Sequence, residues 1–468
     1  MFEVSIYIER RQALALALQA RGIKTGLLLF PGNRASPMNY ADNAYPFRQD
    51  SSFLYYFGHA EADLAASMDL GDGKTELFAD DPGLDSLIWT GPRPAARELM
   101  AMCGADAVKP RAAFAAAGGQ GKPMHFLPPY RADTMLELAE ILGKSPRDIP
   151  SMASVGLIKA VVAQREIKEE RELAETEKAV AASQAMHRAV MAAIEPGKKE
   201  YELLAEAYRE AYAAGGQPSF PAIVTGRGDV LHKHGYDGLL EKGQILLLDC
   251  GAESAKGYAG DLTSSIPVSG WFTDRQKAVY GIVLKAGEAA AAAAGPGIAF
   301  KNAHFAAARA IAVGLKELGL MKGDTDEAVA AGAHACFFPH GIGHQMGLDV
   351  HDMEGLGEDH VGYDGEGRSS LFGLKSLRLA KSLKPGMVFT IEPGIYFIQG
   401  LLEAWKAENR HKDFINYKEA ALWLGFGGIR NEEDWLCTNT GIKRLGPDFD
   451  KSLKAVESYC GKGKTGQA

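Results

Sequence analysis

The stretch Ile245-Leu-Leu-Leu-Asp249-Cys-Gly251, followed by Tyr258-Ala-Gly-Asp261-Leu-Thr263, decides how the chain is read. An apolar run of strand length ends in an acid, a Gly-containing turn follows, and a second run opens with another acid. The acids are 261 − 249 = 12 residues apart, so the midpoint falls at residue 255, inside the turn. A hairpin regular about that midpoint sets Asp249 directly opposite Asp261, with Cβ atoms roughly 4.5–5.5 Å apart on one face. Like charges so placed repel. One divalent cation, or two cations about 3.5–4 Å apart, would compensate them. Without a cation, the pair reads as two surface acids flanking a turn.

Three further segments lie downstream. Phe338-Pro-His340-Gly-Ile-Gly-His344 continues to His351-Asp352, placing three histidines among glycines in a chain with 12 histidines. The glycines argue against one regular helix and for a winding segment on a cleft floor. Imidazole is the commonest neutral metal ligand and titrates near neutrality. Lys384-Pro-Gly-Met-Val-Phe-Thr-Ile-Glu392-Pro-Gly-Ile-Tyr396 delivers an acid at a strand end, where Pro393 stops the pairing. Gly427-Gly-Ile-Arg430-Asn-Glu432-Glu433-Asp434 puts acids before another apolar run, with Arg430 two residues from Glu432 on the same side of an extended chain. Together the segments offer Asp, Asp, His, Glu and Glu beside strand ends. Oxygen-rich donors with one imidazole suit Mn²⁺, Fe²⁺, Co²⁺ or Zn²⁺.

Around these segments, residues 161–468 alternate helices with hairpin strands. The spacing predicts helices over Tyr201–Ala214, Thr273–Ala294 and Phe300–Leu320, and strands over Ile245–Asp249, Met387–Ile391 and Glu433–Thr438. That is an α+β pattern without regular βαβ units. Residues 1–160 read as a smaller α/β domain. Glu9–Ala20 is predicted helical, Gly26–Phe30 is a buried strand, aromatic Ser52–Gly58 is a strand, and Gly71-Asp72-Gly73 is a hairpin turn. The Ala/Gly/Pro-rich residues 109–123 are predicted as loop. A long Glu/Lys/Ala stretch from Arg165 to Ile194, stopped by Pro196-Gly197, reads as one helix, and the domain boundary is set just before it, near residue 160.

Composition narrows the function. Lys+Arg 51 against Asp+Glu 59 gives a formal net charge of −8, which disfavours nucleic-acid and anionic-membrane partners. No apolar run approaches the roughly 20 residues of a membrane helix, and no signal-peptide core is read at the N-terminus. Five widely spaced cysteines without C-x-x-C argue against a disulfide framework or cysteine zinc site and make a reducing cytoplasm the expectation. Arg227-Gly228-Asp229 reads as a loop before His232, and Gly118-Gly-Gln-Gly-Lys122 lacks P-loop spacing.

The order Asp249, Asp261, His344, Glu392, Glu432 in these contexts resembles the dinuclear pita-bread metallopeptidases, and within them the aminopeptidase P and prolidase enzymes, over essentially the whole chain. Ala41-Asp42-Asn-Ala-Tyr45 through Arg48-Gln49-Asp50-Ser-Ser-Phe53 resembles the N-terminal domain of these proline-specific members. The resemblance implies a pita-bread catalytic domain at 161–468 and an N-terminal domain serving substrate access and oligomerisation. It implies two divalent ions, manganese favoured, with cobalt, iron or zinc as alternatives. Asp249 would bind one metal, Asp261 and Glu432 would bridge both, and His344 would complete one with Glu392 beside it. Glu392 would also shuttle a proton towards the leaving imino nitrogen. His232 and His351 are similar to outer histidines that hydrogen-bond substrate and oxyanion. His340 is similar to a pocket histidine, and Arg430 would orient a metal-binding carboxylate.

Within the family two activities compete. Arg378, in Ser376-Leu-Arg378-Leu, stands where prolidases place an arginine for the substrate's C-terminal carboxylate, which favours an Xaa-Pro dipeptidase. A long insertion, Gln399 to Leu424, is also similar to prolidases. Glu317–Asp326 leans towards aminopeptidase P acting on longer peptides. A non-catalytic pita-bread binding module is a third reading, opposed by the complete ligand set. The implied partners are proline-containing peptides and further copies of the chain, as a homodimer or larger assembly in which Asp42 reaches a neighbouring subunit's cleft. Two departures stand out: a hairpin one residue longer than usual, and Asn431 in an aliphatic position.

Overall fold

A computed structural model describes residues 1–363, 365 and 367–461. It divides into two units, Met1–Arg165 with Met353–His360, and Glu166–Asp352 with Val361–Ala468.

The first unit is built on one five-stranded sheet. Helix α1 (Val4–Ala20) precedes β1 (Leu27–Pro31), and α2 (Ser51–Phe57) precedes β2 (Ala65–Asp69) and β3 (Thr75–Phe78). Helices α3 (Leu84–Trp89) and α4 (Ala96–Cys103), then β4 (Ala107–Lys109) and β5 (Met124–His125), follow, with α5 (Ala132–Leu142) and α6 (Val155–Arg165) closing the unit. The strand order is β4-β3-β2-β1-β5, with β1 antiparallel to β2 and parallel to β5. The β2–β3 hairpin turns at Gly71–Gly73, as its sequence indicates. Leu27, Leu29, Phe78, Phe114, Phe126 and Leu138 form its core.

Three local expectations are corrected here. Ser52–Gly58 is helix α2, not a strand: Asp50 caps Phe53 N–H at 2.8 Å, and Gly58 ends the helix with φ 75. Its aromatics serve helical spacing, with the Phe53 and Phe57 rings 5.0 Å apart. Residues 109–123 are not all loop, because Arg111–Gln120 winds as a 3₁₀ helix that buries Phe114. The stretch from Arg165 to Ile194 is not one helix. Helix α6 ends at Arg165, and α7 (Glu170–Ala193) starts afresh from a capping box between Glu169 and Glu172. The break is held by Lys168 N–H donating to Gly386 O at 2.9 Å. A boundary at 160 would cut through α6.

In the second unit, α7 and α8 (Glu200–Ala213) lead to β6 (Ile223–Thr225), β7 (Ile245–Cys250) and β8 (Leu262–Pro267). Helices α9 (Asp274–Ala293) and α10 (Lys301–Glu317) pack along each other. Short strands follow: β9 (Val388–Ile391), β10 (Gly394–Tyr396), β11 (Gly428–Arg430), β12 (Glu433–Cys437) and β13 (Ile442–Arg444). They form sheets β6-β7-β8, β13-β12-β9 and β10-β11. A single bridge, Thr263 to Glu432, ties the first sheet to the segment leading into β12. The core joins Leu246, Leu248 and Ile266 of the sheets to Val283, Ala286, Ala307 and Ile311 of α9 and α10. His187 of α7 is buried behind β7 and β8, with Nδ1 2.9 Å from Ser264 Oγ and Nε2 3.1 Å from Cys250 O. Burial pushes its pKa down to about 3, so it is a neutral core histidine.

Candidate active site

The β7–β8 hairpin carries the first two acids, with a register that differs from the expected one. Asp249 pairs with Thr263 and Cys250 with Leu262, so Asp249 and Asp261 are not directly opposite. The pairing continues through Gly260 N–H to Ala252 O at 2.9 Å and a Glu253–Ala259 bridge, which centres the turn on residue 256. Asp261 is two residues from Asp249's partner, so the acids are diagonal neighbours on one face. Thr263 takes the place opposite Asp249.

The histidine segment runs beside β9. Thr390 N–H donates to His344 O at 3.0 Å, Glu392 N–H to Ile342 O at 2.8 Å, and Met346 N–H to Val388 O at 3.0 Å. This antiparallel pairing puts His344 and Glu392 on one face of the ladder. Gly343 is needed there because a Cβ would collide with the Thr390 carbonyl. Glu432 arrives by another backbone contact, its N–H donating to Thr263 O at 3.0 Å. Lys451, almost fully buried, donates to the carbonyls of both Thr263 and Glu432, at 3.0 and 2.6 Å. Glu433 points elsewhere, 3.2 Å from the Lys451 ammonium. Asn431, the other departure noted in the sequence, accepts Ser265 N–H at 3.4 Å.

One donor atom from each of Asp261, His344 and Glu432 lies within 4.8 Å of the others, and all three residues are buried. His344 Nε2 is 3.4 Å from Asp261 Oδ2 and 4.0 Å from Glu432 Oε1. Its Nδ1 is 3.1 Å from Gln345 O, so Nδ1 carries a proton and Nε2 is the ring atom turned to the acids. Asp249 and Glu392 line the same cavity, of about 670 Å³, as do His232, His340, His351, Arg378 and Arg430. Asp249 is bound by Arg430, whose Nη2 lies 2.5 Å from Oδ2. The same guanidinium donates to Tyr396 Oη at 2.8 Å and to Thr263 Oγ1 at 3.2 Å. Tyr396 Oη, accepting from Arg430, gives its proton to His340 Nε2 at 2.8 Å, and His340 Nδ1 donates to Gly341 O at 2.8 Å. Burial, then Arg430, pushes the His340 pKa down to about 3, so the ring is neutral. The His351 ring stacks on His344, with centroids 3.8 Å apart. Asp42 belongs to the first unit, on an exposed turn closed by a Pro37–Ala44 bridge.

Electrostatics show what the acids lack. Burial, then Asp249, pushes the Asp261 carboxyl well above the usual range. Glu392 moves the same way, by desolvation first and Glu432 second. Glu432 is pushed up to about 8 by burial, then by Asp261 and Asp249. Asp261 Oδ1 is buried without a hydrogen-bond partner among the described residues. Crowded carboxylates, an orphaned oxygen and an imidazole nitrogen on one centre fit hard divalent cations.

Some residues that shape this centre carried no role in the sequence reading. Thr263 Oγ1 donates to Glu432 Oε2 at 2.8 Å. Its signal was its place two residues after Asp261, on the same strand face. Asp434, fully buried, accepts Asp261 N–H at 3.0 Å. Lys168 and Asp352 form an ion pair at 2.9 Å with both side chains only 1% exposed. That pair closes the loop from His344 to His351, where Asp352 N–H also donates to Gln345 O at 2.9 Å.

Comparison with known proteins decides the class. The profile of Metallopeptidase family M24 matches residues 174–439, more than half the chain. The chain belongs to metallopeptidase family M24. Residues 7–118 match the Aminopeptidase P, N-terminal domain. The human Xaa-Pro dipeptidase is 32% identical over 99% of this chain and 95% of its own length. A Colletotrichum graminicola protein named "Probable Xaa-Pro aminopeptidase" is 31% identical over 93% of each chain. Among solved structures, a Pseudomonas aeruginosa aminopeptidase superposes with TM-score 0.81 at 28% identity, covering 99% of both chains. Escherichia coli aminopeptidase P in complex with substrate gives 0.80 at 28% identity, again over 99% of both chains. This M24 enzyme is thus a metallopeptidase of the prolidase and aminopeptidase P group, with the pita-bread catalytic fold that the sequence implied. The non-catalytic reading falls away. Among the described residues no helix is long and apolar enough to cross a membrane.

Proposed function

We propose that the chain is a metal-dependent exopeptidase that hydrolyses Xaa-Pro bonds and prefers dipeptides. The observation that carries this reading is Arg378, which lines the same cavity as Asp261, His344, Glu392 and Glu432. A guanidinium there suits a carboxylate on the residue after the scissile bond, which a dipeptide supplies and a longer peptide does not. Relatives named dipeptidase and aminopeptidase stand at nearly equal identity, so the preference rests on Arg378.

Asp249, Asp261, His344, Glu392 and Glu432 would hold two divalent ions, manganese favoured. When bound, such ions supply an activated water and polarisation of the scissile carbonyl. The protein's own groups do the rest. Glu392, held above the usual carboxyl range by desolvation and then by Glu432, takes a proton and passes it to the leaving imino nitrogen. His232 and His351 hydrogen-bond the carbonyl oxygen as charge develops on it. Arg430 fixes Asp249 by its charged hydrogen bond, and Tyr396 fixes the tautomer of His340. The five buried cysteines support a reducing cytoplasmic location, and the likeness to the family supports a homodimer or larger assembly.

The test is turnover of Ala-Pro and Ala-Pro-Pro by the manganese-loaded protein. Faster turnover of Ala-Pro is expected, and Arg378→Ala should remove that preference. Turnover of the tripeptide alone would leave an Xaa-Pro aminopeptidase in its place.

A further inference from the structure

Away from the acid cluster, one buried carboxylate fastens the loop that carries His232. Glu200 is the first residue of α8 and is 2% exposed. Its Oε1 accepts Gly226 N–H at 2.9 Å. Its Oε2 accepts from Lys233 Nζ at 2.7 Å and from Gly238 N–H at 3.3 Å. The backbone repeats the attachment, with Glu200 N–H to Gly238 O at 3.0 Å and Tyr201 N–H to Tyr236 O at 2.8 Å. Gly238 leaves room for nothing more, since a Cβ there would stand 2.6 Å from the Glu200 carboxyl carbon. The start, middle and end of segment 226–238 are therefore held at one point. Between those anchors, Leu231, His232, Lys233 and His234 line the cavity that holds the acids.

A carboxylate withdrawn this far from water is costly unless charge-assisted bonds replace its hydration, as one ammonium and two backbone N–H groups do here. A surface loop of this length would otherwise sample many conformations, and His232 with it. We propose that Glu200 is a positioning residue for peptide binding: it sets the 226–238 loop so that His232 faces the bound carbonyl. It touches no reacting atom and acts through His232, so the inference rests on the peptidase reading.

Two variants separate this role from a general structural one. Glu200→Gln keeps an acceptor for Gly226 but loses the charge that holds Lys233. Gly238→Ala keeps the charge and displaces the carboxylate. In both, the KM for Ala-Pro should rise about five- to twentyfold and kcat should fall as well, by up to about tenfold, because His232 meets the carbonyl oxygen in the bound peptide and again as charge develops on it. Bound metal per chain should match the wild type. A KM within about twofold of wild type in both variants would overturn the inference, as would metal content falling together with binding. Should one variant fail to fold, the other decides. A wild type that cleaves neither Ala-Pro nor Ala-Pro-Pro overturns the peptidase reading itself. An active wild type with unmoved KM in the variants overturns only the role of Glu200.

Discussion

Removing the metal should invert the pH dependence of stability near neutrality. In the metal-free protein, Glu432 is pushed up to about 8 from 4.5, and Asp261, Glu392 and Asp434 are displaced upward by burial in the same direction. A carboxyl whose folded pKa is raised stabilises the fold when protonated. That contribution is full below 4.5 and is lost as the pH rises through about 8. Between pH 8 and 6.5, Glu432 alone therefore adds about 1.6 kcal/mol on acidification, or about 2 °C in melting temperature for a chain of this size. The neighbouring acids add to it as one titrating cluster. Below 6.5 an opposing set offsets this gain. His187, His304 and His340 are pushed down to about 3 and His334 to about 4, chiefly by burial. Their contribution is present above 6.5 and lost as the pH falls towards those values. Chelated protein should accordingly gain stability from pH 8 to 6.5 and level off below it. Manganese-loaded protein should lose stability over pH 8 to 6.5, because its ligands must stay deprotonated. Thermal melts of both forms at half-unit pH steps test this. A chelated melting temperature that is flat or falls from pH 8 to 6.5 would refute the claim that these acids repel one another when no cation is bound.

Two substitutions probe the parts. Glu392→Gln should lower kcat for Ala-Pro by about 10²–10⁴-fold, and should leave the melting temperature of the chelated form equal or higher, since one crowded charge is gone. Wild-type turnover would remove Glu392 from proton transfer. Thr263→Val keeps the shape but deletes the Oγ1 bonds to Glu432 and Arg430. Metal affinity measured by titration should fall about 10–100-fold, and an unchanged affinity would show that Glu432 needs no such support.

Much of this centre could be read in the sequence because its parts are local. Each acid ends or opens a short apolar run, and each run became a strand in the second unit. Glu432 could be told from Glu433 by its distance from Arg430, and the structure turns Glu433 towards Lys451 instead. What escaped depended on partners distant in the chain. The hairpin register could not be read from a midpoint because pairing through Glu253–Ala259 moves the centre to residue 256. The aromatics of helix α2 speak for β structure in the sequence, whereas the Asp50 cap and Gly58 decide locally for helix. Lys451 and Lys168 carry charges that composition assigns to the surface, and only the fold shows both among the buried residues.

The Lys168–Asp352 pair also bears on how a peptide gets in. Two charges shut away from water separate only at a cost of several kcal/mol, because each half alone is an uncompensated ion in the interior. The His344–His351 loop that they close is therefore costly to open. Segment 226–238 is different. Most of its residues border solvent, and Lys233, part of its latch, is partly exposed. The cavity thus has one wall whose ion pair is shut away from water and one whose latch borders solvent, and making room for a peptide costs less at the second.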